Sequence, residues 1–146
     1  MFKKMLKNER GLTLIELLAV VVILGIIAAI AVPAIGNVIQ KSKVDAYNSD
    51  ALQILSAADI YEANVGRPTS AIDEAALKDY LKGSKIEDFT VAFDATNNVY
   101  RITTPAAVTV GNQTVKYTGA SKKDIENKVT DKVVIGTPGT TTTNNN

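Results

Sequence analysis

The chain has 146 residues, a net charge of +1, and neither cysteine nor histidine. That composition excludes a disulfide framework, a cysteine nucleophile, a histidine-based triad and a zinc site with nitrogen or sulfur ligands. It also bounds the molecule at one folded domain once any membrane segment is set aside.

Residues 1–11 hold Lys3, Lys4, Lys7 and Arg10 against Glu9, a local charge of +3 that leaves −2 for the rest. From residue 12 to residue 35, Glu16 is the only charged side chain. About 20 apolar residues in a helix cross the hydrocarbon of a bilayer, so this run is long enough to span one. Basic residues ahead of the run keep the N-terminus in the cytoplasm and export the C-terminal part. A secretory signal would carry its small-residue cleavage site after the apolar core. Here the small residue, Gly11, precedes the core, so cleavage after it would leave the apolar helix on the mature chain.

A carboxylate at membrane depth costs roughly 3 kcal/mol on insertion scales, and a plain anchor has no need of one. Intramembrane charges pair, yet no Lys, Arg or His lies within residues 12–40. Cutting after Gly11 creates the missing cation, the α-amino group of Leu12. It would sit about one helical turn from Glu16 of the same chain, or meet Glu16 of a neighbouring subunit. The plain alternative is an uncleaved anchor whose glutamate reaches the headgroups.

The stretch "RGLTLIE" with the apolar run behind it resembles the processing and assembly signature of type IV pilins and pseudopilins. The likeness covers residues 7–45 and beyond them is one of layout. It implies that a prepilin peptidase cuts between Gly11 and Leu12 and then methylates the Leu12 amine. It makes Glu16 the glutamate needed for assembly, although the family most often has Phe where this chain has Leu12. It also implies that the segment from Gly25 to Pro33 loses helix when subunits pack. Gly25 lacks a side chain and Pro33 removes a backbone donor, which fits that expectation. A tolerated membrane kink is the plainer reading of both.

Helical periodicity continues past the apolar run. Val44, Tyr47, Ala51, Ile54, Leu55, Ala58, Tyr61 and Val65 form one stripe, with Lys41, Lys43, Asp45, Asp50, Asp59 and Glu62 opposite. Residues 12 to about 64 are therefore expected to make one helix about 80 Å long, ended by "VGRP" at 65–68. "TSAIDEAALKDYLKGS" predicts a short helix capped by Ser70 and stopped by Gly83, burying Ile72, Ala76, Leu77, Tyr80 and Leu81. Strands are predicted at 89–93 and 99–104, with "DATNN" as the turn between them. A hairpin is predicted around Gly111-Asn112, and a last strand at 132–135. "SKKDIENKV" predicts a helical turn capped by Ser121. The expected fold class is α+β and pilin-like: a long N-terminal helix packed on a small antiparallel sheet. The expected layout is a leader at 1–11, a membrane and filament-core helix half at 12–39, an exported domain at 40–136 and a disordered tail at 137–146.

Minor signals carry less. Asp94, Asn97 and Asn98 offer oxygen ligands but miss the spacing of a calcium loop, so no metal is expected. Lys116, Lys122, Lys123, Lys128 and Lys132 are interleaved with Asp124, Glu126 and Asp131, which reads as a mixed solvated surface and does not support DNA as a partner. Asn112-Gln113-Thr114 matches a glycosylation triplet, a pattern that arises often by chance. No constellation suggests catalysis or a cofactor.

The first reading is a structural pilus subunit: a single-pass membrane precursor, then part of a surface filament. The resemblance implies as partners further copies of itself, the prepilin peptidase and methyltransferase, and the pilus assembly ATPase with its platform. The second reading is a pseudopilin of a type II secretion or competence DNA-uptake apparatus. The third is a single-span, membrane-anchored binding module that never polymerises.

Overall fold

A computed structural model of the chain describes residues 2–129 and 133–136, with side chains from residue 13 to residue 135. The expected tail at 137–146 lies outside the described residues, as do Asp131 and Lys132. The first element is α1, Phe2–Val65, which includes Pro33. The chain divides into two compact units, Met1–Ile39 and Gln40–Asn146.

In the second unit, α1 supplies one wall of the core. Val44, Tyr47, Ala51, Ile54, Leu55 and Ala58 are all buried, as their spacing predicts. Val65, at the end of that stripe, is instead exposed, because the helix terminates there. Gly66 follows with φ +96°, and its N–H donates to the Glu62 carbonyl at 2.9 Å. That left-handed step is one a side chain resists, which is why glycine stops this helix.

The next segment corrects the sequence expectation. Ile72–Asp73 forms a short strand, β1, and α2 spans only Glu74–Leu77 before a 3-10 turn at Lys78–Tyr80. Asp73, not Ser70, is the N-cap, its carboxylate accepting from the Ala76 N–H at 3.0 Å. The cap moved because Ile72 and Asp73 are held in the sheet opposite Val91 and Thr90. Of the expected apolar side, Ile72 and Leu77 are buried, Tyr80 and Leu81 are half-buried and Ala76 is exposed.

Among the described residues, six strands form two three-stranded antiparallel ladders. β1, β2 (Thr90–Asp94) and β3 (Val99–Thr103) make the first, and β4 (Val108–Val110), β5 (Gln113–Tyr117) and β6 (Val133–Gly136) the second. Backbone bonds between Ile102 and Ala120, both 2.9 Å, stitch the two together. The β4–β5 hairpin closes on Val110 opposite Gln113, leaving Gly111-Asn112 as a two-residue loop with Gly111 at φ +67°. Helix α3, Lys122–Glu126, starts at Ser121, whose hydroxyl and the Asp124 carboxylate form a reciprocal capping box. The architecture is α+β: helix α1 against small antiparallel sheets.

Asn48 is one of the polar side chains buried in the core. Tyr117 stacks on Tyr47 with ring centroids 6.0 Å apart, and its hydroxyl donates to Asn48 Oδ1 at 2.8 Å. Among the described residues, the buried Tyr47 hydroxyl and Asn48 Nδ2 have no partner. The two tyrosines should therefore respond differently to loss of the hydroxyl. Tyr47→Phe should leave stability unchanged or slightly raised, whereas Tyr117→Phe strands the Asn48 amide and should cost about 1–3 kcal/mol. Denaturant unfolding of the two variants in detergent checks this; equal losses would contradict it.

Candidate assembly segment

In the first unit, residues 13–39 of α1 are apolar around the whole helix. Every large apolar side chain from Leu14 to Ile39 exposes half or more of its surface, from 50% at Ile39 to 71% at Ile30. A patch of that size cannot face water, so it must be covered by lipid or by other chains. The richest window has mean hydropathy 3.0, long and apolar enough to cross a membrane. Leu, Ile and Val all round the helix leave no polar face, which distinguishes the segment from the amphipathic stretch that follows.

Glu16 is exposed within this segment, two residues after Leu14 and one turn after Leu12. Gly11 and Leu12 are themselves helical. Gly25 is helical and open, with nothing within 4 Å of a Cβ placed there. Pro33 also lies in the helix, and with no N–H it leaves the Ala29 carbonyl without its helical donor. In the single subunit the helix thus runs through both.

The minor candidates resolve into structural roles. Asp94 accepts from the N–H groups of Thr96 and Asn97 at 3.0 and 3.3 Å, from Asn97 Nδ2 at 2.8 Å and from Arg101 Nε at 2.8 Å. Its oxygens are occupied by the protein, and Asn98, at φ +55°, simply completes the turn. Among the described residues no cluster of three or more His, Cys, Asp or Glu could hold a metal. Of the lysines, Lys122 pairs with Asp59 at 2.6 Å and Lys128 with Asp45 at 2.8 Å, so they tie the start of α3 and the turn after it to α1. Asn112 lies exposed in the hairpin loop.

Arg101 was not singled out by sequence. It joins Asp94, the Gly119 carbonyl at 3.0 Å and Asp124 at 3.1 Å, linking the β2–β3 turn to the start of α3. Its only sequence signal was a lone cation in a strand, which reads as solvated. Hydrogen bonds from the Asn97 side chain, then Arg101, hold the Asp94 carboxyl well below its usual range. Bonds from the Ser121 backbone and hydroxyl, with Arg101 nearby, lower Asp124. Depressed carboxyls contribute stability that is present above the unfolded-state value and lost as pH falls through the folded one. The unfolding midpoint should therefore be steady down to about pH 5 and fall below about pH 4. Arg101→Met should flatten that fall, and a wild-type midpoint unchanged at pH 3 would contradict it.

Residues 6–32 match the family described as the prokaryotic N-terminal methylation motif. The type IV major fimbrial protein FimA of Dichelobacter nodosus is 31% identical over 131 residues, covering 75% of this chain and 81% of FimA. The chain belongs to the type IV pilin and pseudopilin family. The type II secretion system core protein G of Pseudomonas aeruginosa is 41% identical over 56 residues, covering 38% of this chain and 39% of protein G. That match therefore spans well under half the length of protein G. No solved structure matches this chain.

Proposed function

We propose that this pilin is a structural subunit of a type IV pilus. The observation that carries the proposal is the segment 13–39, apolar on every face and exposed, with one carboxylate a turn beyond Leu12. In the precursor, lipid covers that surface, the basic residues 3–10 stay in the cytoplasm and the unit from Gln40 onward is exported. Peptidase cleavage between Gly11 and Leu12, with methylation of the new amine, leaves the apolar helix intact on the mature subunit. In the filament, the same surface packs against neighbouring helices, and Glu16 pairs with the Leu12 amine of an adjacent subunit. Gly25 and Pro33 then mark where the helix yields as subunits pack. An assembly ATPase and its platform drive the transfer from membrane to filament.

A pilus is favoured over a pseudopilus by the extent of likeness, 81% of a major fimbrial protein against 39% of protein G. The higher identity to protein G over the shorter stretch is what a shared N-terminal chemistry would produce in either case. Shearing intact producing cells separates the two. This chain should dominate the filament fraction released by shear. Processed chain confined to membranes would instead support a pseudopilin.

A further inference from the structure

The apolar half of α1 ends at Ile39, and the next side chain, Gln40, makes an unusual contact for a helix residue. Its Nε2 donates to the Val110 carbonyl at 2.7 Å, and its Oε1 accepts from the Asn112 N–H at 3.0 Å. The carboxamide thus satisfies two backbone groups at the tip of the β4–β5 hairpin, as a neighbouring strand would. Gly111 makes the approach possible: a Cβ there would collide with the Gln40 carboxamide. The positive φ of Gly111 and this close approach give the glycine two separate reasons.

Beyond Gln40, the next side chain of α1 to be buried is Val44, one full turn later. Residues 41–43 are exposed and Gln40 is half-buried, so this turn has no side chain in the core and the Gln40 contact ties it to the hairpin. We propose that Gln40 and the Gly111-Asn112 tip form a latch that sets where the folded unit begins, so that loss of helix in the apolar half stops at residue 40. Helix is lost most easily where side chains lack tertiary contacts, and unwinding advances until an anchored residue resists it. The latch makes residue 40 that anchor; unlatched, the boundary retreats to Val44. Gln40 is a positioning residue here and contacts no partner itself.

Amide hydrogen exchange on the full, unassembled chain in detergent micelles tests this, and its outcome is independent of whether the chain polymerises. In Gln40→Leu, the Asn112 amide should lose its protection. The amides of residues 44–47, which donate to carbonyls 40–43, should exchange at least about tenfold faster. The Ile102 amide, bonded to Ala120, should be unchanged and reports an intact sheet. Gly111→Ala displaces the carboxamide from the hairpin side and should give the same pattern; it decides the matter if Gln40→Leu disturbs the sheet. Unchanged exchange at residues 44–47 with an intact sheet would overturn the proposal, even if Asn112 loses protection.

Discussion

Glu16→Ala is expected to abolish surface filaments while the precursor still inserts in the membrane. Removing the one charge from residues 12–35 lowers the cost of insertion by roughly 3 kcal/mol, so targeting has nothing to lose. Assembly loses its only charge partner in the apolar segment. An α-amine buried among Leu, Ile and Val side chains without a counter-charge costs about 3–5 kcal/mol. Since each 1.4 kcal/mol is a factor of ten, the loss per contact exceeds about a hundredfold. Immunoblots of sheared and membrane fractions read both arms. Filaments of normal abundance from the mutant would sink the pairing role, and loss of the precursor from membranes would mean the defect lies upstream.

Leu55→Ala should strongly destabilise the second unit. Leu55 is fully buried on α1, in the same core cluster as Ile54, Ala57 and Ala58. Leucine-to-alanine changes at such sites cost about 2–5 kcal/mol, against a total stability of about 5–15 kcal/mol for a domain. Denaturant unfolding should show a clearly lowered midpoint, and cells should hold less of the variant. The neighbouring Ile60, with half its surface exposed, is the matched control: Ile60→Ala should cost far less. Equal losses at the two positions would place the core elsewhere.

The helix, its buried stripe from Val44 to Ala58 and the hairpin at Gly111 were legible because each rests on local periodicity or on a glycine with a special φ. The second helix was misread for a physical reason. Ser70 and Asp73 are both good caps, and only the pairing of Ile72 with Val91, nineteen residues away, selects Asp73. The proposed processing and assembly residues show in the sequence as a motif, Gly11 before an apolar run and Glu16 within it. The Gln40 contact was not, because its partners lie about seventy residues along the chain and neither has a pattern pointing back. The same holds for Arg101, whose partners span a turn, a loop and a helix cap. The helix charges Asp45, Asp59 and Glu62, placed by the sequence opposite the apolar stripe, prove to be bonded to Lys128, Lys122 and Tyr100.

An intact mass of the chain from the sheared surface fraction tests the central claim most directly. The sheared subunit should lack residues 1–11 and carry one added methyl group on Leu12. Full-length mass in every fraction of a cell that contains the peptidase would contradict it, leaving an anchored domain and no role for Glu16 in assembly.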